Sequence, residues 1–417
     1  MRAVRLAFTT WLLVTLAACA TAPVTDVQPG TRPALETDEA GLWQMVERDE
    51  FRLSTSNEVI RDPDLQNYLQ GVLCRVTPHY CNDVRIYVLP SPMLNAWMMP
   101  NGTMALYTGL LLRLENEAQL AAIIGHEVAH YTRRHSLQRY RAWRANAGTL
   151  QTVASIVSAG AGVAAANANA AASAGQYGRA IDQAQLARSI ADVGTAVLRS
   201  LEFYSIMNQL SFSREQESES DALGTAWMNS AGYATATWAD VWKVMEQEEA
   251  LTGTRVPTFL RGHPSPAERK RRIRAHSAAL ETSPERLHTG AIEYQAQIEP
   301  FRNAWLHYAR QGLGPKLENA LLERQREIGA PAGLVAFHEA DMYRKRQPEP
   351  SAHQIAAAFE EALAAAGCPP EAFREYALAL WDAGRTDEAR AAFEDYLAAD
   401  PDAIDHAMIR SYIEELR

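Results

Sequence analysis

Apolar positions recur at helical spacing along most of this chain, and one stretch breaks the habit. From Gly41 to about Val76 the spacing predicts helix, interrupted near Asp62-Pro63. Val84, Ile86 and Val88 then alternate with polar neighbours, Pro90 ends the run, and Asn101-Gly102 is a strong hairpin signal. Three short strands are expected, Val84–Leu89, Asn95–Met99 and Thr103–Thr108. The segment "NEAQLAAIIGHEVAHYTRRHSLQRYRAW" reads as one long helix opened by Glu115 and Glu117. Helical spacing resumes after about residue 196 and runs through "ATWADVWKVMEQEEALTG". Another helix starts at Ser265-Pro266-Ala267-Glu268, where a cap, a first-turn proline and a reciprocal glutamate follow in order. The fold class is therefore mainly α with a small β-sheet.

Two stretches fall outside that rhythm. Residues 148–196 are dominated by Ala, Gly, Ser and Asn, too weakly hydrophobic to span a membrane, and suit either a small-residue helical hairpin or a loop. The last hundred residues carry a tetratricopeptide-like pattern in "AFREYALALWDAGRTDEARAAFEDYLAADP", with Gly384 at the turn and Ala389, Phe393 and Pro401 in place. Looser copies precede it. One such unit cannot bury its own face, so two or three should stack and lean on the domain before them; a generic Ala-rich bundle is the plain alternative.

The N-terminus changes the picture of where the chain works. Arg2 and Arg5 precede an apolar run from about Leu6 to Ala18, too short to cross a bilayer comfortably, which reads as a secretory signal. Leu16-Ala17-Ala18-Cys19 resembles the bacterial lipobox, which implies cleavage before a lipidated Cys19. Ala20, where lipoproteins retained at the inner membrane carry Asp, implies anchoring to the outer membrane and a periplasmic location. The expected organisation is a signal peptide over 1–18, a lipidated tether over 19–39, a catalytic domain over 40–290 and helical repeats over 291–417. A net charge of −10 argues against a nucleic-acid partner. In an oxidising compartment Cys74 and Cys81 can close a disulfide, although Cys368 is a possible partner for either.

The chemistry concentrates in Gly125-His126-Glu127-Val128-Ala129-His130. Residues four apart lie one turn apart on one helix face, so His126 and His130 can grip one metal ion while Glu127 reaches a water beside it. The same residues would also suit an ordinary helix surface, so a third ligand decides. His135, nine residues after His126, should lie about half a turn round a continuous helix, facing away as a surface or packing residue. "SFSREQESESDALG" offers Glu215, Glu217 and Glu219; only Glu217 has an acidic residue one turn on, Asp221, able to orient a ligating histidine. Glu219 points about 200° away from Glu217 on a helix.

With these residues in view the chain resembles the gluzincin peptidases that include HtpX and the CAAX prenyl proteases. The carriers are H-E-x-x-H, then Ser213, Arg214, Glu217 and Asp221 with Gly224 after them, then "NAWMMPNG" before the active-site helix and "HPSPAER" from His263 to Arg269. The lipobox and repeats point to a periplasmic lipoprotein branch. The resemblance implies one zinc ion per chain on His126, His130 and Glu217, with Glu127 as general base. Asp221 would support the ligating histidines, Arg214 nearby would either salt-bridge within the fold or contact substrate, and Asn95, Ala96, Trp97, Met98 and Met99 would pair with an extended substrate. His263 would either fill the ion's open position and keep the enzyme latent or stabilise the oxyanion; a histidine capping a helix is the plain alternative. Implied partners are unfolded or misassembled polypeptides and, through the repeats, the outer-membrane assembly machinery. The competing function is a non-proteolytic assembly factor with structural zinc, which would have no use for Glu127.

Overall fold

The computed structural model describes residues 25–145, 212–252, 266–280, 287–346 and 348–417. The signal peptide, Cys19, the Ala/Gly-rich stretch and His263 lie outside the described residues.

The elements in chain order are α1 (Asp38–Thr55), α2 (Pro63–Val76), β1 (Arg85–Leu89), β2 (Ala96–Met98), β3 (Thr103–Tyr107), α3 (Thr108–Leu111), α4 (Glu117–Thr132), α5 (His135–Ala145) and α6 (Arg214–Ser230). There follow α7 (Trp238–Thr252), α8 (Pro266–Leu280), α9 (Ala291–Gln311), α10 (Pro315–Glu327), α11 (Ala332–Tyr343), α12 (Ala352–Ala364), α13 (Glu371–Asp382), α14 (Thr386–Ala399) and α15 (His406–Glu415). The fold is mainly α with one small sheet. Its strand order is β1-β3-β2, with β1 parallel and β2 antiparallel to β3, so β2 lies at an edge. The turn from β2 to β3 needs Gly102, whose φ of +88° and contact with the Asp83 carbonyl leave no room for a side chain.

Helix α4 lies at the centre, and every residue from Glu117 to Thr132 is buried. Asn116 caps it by accepting from the Gln119 amide at 3.0 Å. An element buried all round can keep polar side chains only if its neighbours satisfy them. That requirement shapes the site below.

Two boundaries differ from the sequence reading. The long helix expected through His135 ends at Thr132, because Arg134 takes a left-handed conformation with φ of 51°. Long-range contacts hold that strained residue: Arg134 NH1 donates to the Thr25 carbonyl at 2.8 Å, and its Nε pairs with Glu39 at 3.0 Å. The expected tether over 19–39 is docked from Thr25 onward. Val27 is buried and donates its amide to the Thr132 carbonyl, while the Asp83 carboxylate accepts from the Gly30 amide.

The main core does not break at residue 290. Tyr294, Ile298, Trp305, Leu306, Leu321 and Leu322 share one apolar cluster with α2, the sheet and α4. The Tyr294 hydroxyl donates to the Leu111 carbonyl, and Gln325 Nε2 to that of Leu112. Beyond them, α11 to α14 pack in succession, with smaller clusters around Phe359 and Phe393. Cys74 and Cys81 are joined by a disulfide, and Cys368 is free. Among the described residues no helix is long and apolar enough to cross a membrane.

One buried polar node carries a pH prediction. Arg310 NH1 donates to His338 Nδ1 at 2.9 Å, which requires a neutral imidazole. Burial, and then the charge of Arg310, lower the His338 pKa to about 3. As pH falls below the ordinary histidine value of about 6.5, the unfolded chain takes up a proton that the folded one refuses. Stability should therefore drop by about 1.4 kcal/mol per pH unit from this group between pH ~6.5 and ~3. Urea midpoints at pH 7 and pH 5 should differ more for the parent than for His338→Gln; equal differences would refute it.

Candidate metal centre

The site forms where α4 crosses α6, and the crossing is close because two glycines meet there. A Cβ on Gly224 would lie 2.9 Å from the His126 amide nitrogen, and one on Gly125 would lie 3.2 Å from the Gly224 Cα. Helix α6 starts with a capping box between Ser213 and Gln216 and buries Glu217, Ser220, Asp221, Gly224, Thr225 and Met228, a stripe at helical spacing. We expect Gly224→Ala to push the helices apart, lower stability by about 1–3 kcal/mol and weaken metal binding. Thermal unfolding with and without metal reads both effects, and an unchanged affinity would mean that the crossing tolerates a methyl.

The crossing sets Glu217 opposite the two histidines. His126 Nε2 and His130 Nε2 are 3.1 Å apart. Glu217 Oε2 lies 3.7 Å from the former, and Glu217 Oε1 lies 3.6 Å from the latter. On a tetrahedral ion with bonds of ~2.0–2.1 Å, neighbouring ligand atoms sit ~3.3 Å apart. Spacing, donor types and complete burial of all three side chains fit one metal ion. Glu127 is also buried, next in sequence to His126 on the same helix.

A second tier fixes the first. Asp221 Oδ1 is 3.1 Å from His126 Nδ1, so the carboxylate can accept that proton and leave Nε2 free to bind metal. Arg269 from α8 is fully buried; its Nε donates to Asp221 Oδ2 at 2.8 Å, and its NH1 pairs with Glu217. Burial alone would raise the Asp221 pKa, but the Arg269 charge and the bonds from His126 and Arg269 hold it well below the usual carboxylate range. The Arg269 guanidinium lies 3.9 Å over the Trp242 ring. On the opposite flank the Phe212 ring stacks on His130 at 3.8 Å between centroids, with the Arg139 guanidinium 4.0 Å from Phe212.

Two placements depart from expectation. Arg214 is exposed as the first residue of α6, and the guanidinium beside Asp221 belongs to Arg269. His135 does not face away: the helix break returns it to the site, where its Nδ1 lies 2.9 Å from His130 Nδ1. Phe212 carried no sequence signal. Arg269 closes the "HPSPAER" element, and that membership was the one available clue. Asn95 to Met99 span edge strand β2 and its flanks, and β2 packs against α4.

Residues 60–277, just over half of the chain, match the model of peptidase family M48. The chain belongs to peptidase family M48. The gluzincin resemblance agrees with that membership. The chain is 25% identical over 225 residues to the beta-barrel assembly-enhancing protease of Escherichia coli K12, covering 52% of this chain and 40% of that protein. It is 28% identical over 188 residues to the mitochondrial metalloendopeptidase OMA1 of Schizosaccharomyces pombe, 45% of each. A shorter stretch of 54 residues is 39% identical to human OMA1, covering 13% of this chain and 10% of that one. The matched stretch therefore spans less than half the length of these relatives.

Proposed function

We infer that the chain is a zinc-dependent endopeptidase of the periplasm, anchored to the outer membrane through Cys19, that degrades misfolded or stalled outer-membrane proteins. The observation that carries the reading is the buried His126–His130–Glu217 triangle with Glu127 beside it. Support for the location comes from the lipobox and from the similarity to a protease named for β-barrel assembly.

When bound, zinc supplies Lewis-acid polarisation of the scissile carbonyl and makes a water molecule acidic near neutral pH. Glu127 would take a proton from the attacking water and return it to the amine nitrogen as the C–N bond breaks. His126, His130 and Glu217 would hold the ion; Asp221 would keep the His126 proton on Nδ1, and Arg269 neutralises Asp221 and Glu217. Edge strand β2 offers backbone groups to an extended chain, a mode that selects unfolded segments rather than a sequence. The helices after α10 suit a tetratricopeptide-like platform that presents stalled chains to the site.

The test uses the chain from Ala20, without lipid, and an unfolded protein as substrate. One zinc per chain is expected, with cleavage abolished by a chelator and restored by zinc. Undiminished cleavage without metal would overturn the reading. A zinc-loaded protein that cuts nothing, with His263→Ala equally silent, would favour the assembly-factor alternative; activity released by His263→Ala would make His263 the lock.

A further inference from the structure

The two histidines of the metal triangle are braced differently. His126 Nδ1 meets the Asp221 carboxylate directly, at 3.1 Å. His130 Nδ1 meets the ring nitrogen of another histidine, His135 Nδ1, at 2.9 Å. His135 Nε2 lies 3.3 Å from Glu219 Oε2, and the other Glu219 oxygen pairs with Arg133 Nε at 3.0 Å. His130 and His135 are buried, whereas Glu219 is nearly half exposed. The run therefore leads from the triangle to the surface.

Two facing ring nitrogens can share only one proton, so the pair has a direction. With the His130 Nε2 lone pair turned to the metal, its proton must sit on Nδ1, where it donates to His135 Nδ1. His135 then carries its proton on Nε2, where the Glu219 carboxylate accepts it. Every donor finds an acceptor. The Ser220 hydroxyl also approaches His135 Nδ1, but at 3.4 Å it is the weaker rival for that lone pair. On an unbroken helix, residue 135 would stand 140° round from residue 130. The left-handed turn at Arg134 is what brings the two rings together.

We propose that His135, oriented by Glu219, is a positioning residue for His130, setting its tautomer and ring angle by accepting the Nδ1 proton. This rests on the metal reading above, and the test separates the two. Its readout is metal affinity of the full chain, by zinc competition against a chromophoric chelator, together with the ring-nitrogen NMR of the zinc-loaded parent. His135→Asn keeps an acceptor near the Nδ1 position; His135→Leu has similar volume and none. Outer-shell partners of this kind are worth about 10–100-fold in affinity. His135→Leu should lose that much and His135→Asn about threefold or less, while Glu219→Gln should lose a few-fold. Equal affinity in parent and Leu variant would overturn the proposal, and equal losses in Leu and Asn would reduce His135 to packing. NMR needs no variant, so a misfolded Leu protein leaves the test intact. The expected signature is a proton on Nδ1 of His130 and on Nε2 of His135, and the reverse at either ring refutes it. A parent without zinc would instead bring down the metal reading.

Discussion

Glu127→Gln should keep its metal and lose cleavage by at least about 10³-fold. The side chain is buried beside His126 on a helix that is covered on every side, so the amide replaces the carboxylate with hardly any change in volume. None of the three proposed ligands is touched, and metal stoichiometry should stay at the parent value. What should disappear is the proposed base: an amide cannot take the proton from water, and positioned general acid–base groups contribute ~10²–10⁴-fold. Two roles are lost together, acceptance from water and donation to the leaving amine, which places the expectation toward the upper end. Stability should hold or rise slightly, since a buried carboxylate is costly to keep charged. Metal analysis, thermal unfolding and single-turnover cleavage of one unfolded substrate read all three. Residual activity within tenfold of the parent would remove Glu127 from the chemistry. Loss of metal along with activity would assign it to holding the ion.

Which parts of this arrangement can be read from the chain alone follows from the range of the forces involved. His126 and His130 share a face because four residues make about one helical turn, a local fact. Glu217, Ser220, Asp221 and Gly224 share a stripe for the same reason, and the strands are announced by the alternation of Val84, Ile86 and Val88 and by the hairpin signal at Asn101-Gly102. The break at Arg134 was not legible. Nothing in "HYTRRHSLQ" stops a helix; the stop comes from Thr25, Asp26 and Glu39, roughly a hundred residues away in sequence. His135 was misplaced as a direct consequence, because its expected direction assumed an unbroken period. Arg214 and Arg269 were confused for a related reason. Both belong to motifs of the family, but only the three-dimensional packing of α8 against α6 chooses which guanidinium reaches Asp221. The docked segment after Thr25 was hidden by composition: a run rich in Pro, Thr and Ala looks like a tether even when Val27 is anchored in the core.

Replacing Arg269 should be the most damaging single change outside the ligands. Its guanidinium faces Glu217 and Asp221, and all three side chains are withdrawn from water. Breaking a buried pair costs ~3–5 kcal/mol because the partner charge is left without compensation, and here two partners are left. Arg269→Met keeps much of the length and the contact with Trp242 while removing the charge. The metal decides how the loss is distributed. A divalent cation on Glu217 replaces part of the lost positive charge, so the destabilisation should be larger in the metal-free protein than in the loaded one. Arg269→Lys should fall between, since an ammonium cannot serve both oxygens of Asp221 in the fork that Nε and NH2 make. The pH dependence should also move. In the parent, Asp221 has a depressed pKa, so its stabilising contribution is present above the ordinary carboxylate range and is lost as pH falls below it. Without Arg269 the burial penalty dominates and the Asp221 pKa should rise, which brings acid sensitivity up toward neutral pH. Urea midpoints of the three proteins, with zinc and with chelator, at pH 7.5 and 5, test this. Equal losses with and without metal would show that the ion takes over none of the charge that Arg269 supplies; a loss confined to the metal-free form would show that the ion and the arginine serve the same two carboxylates.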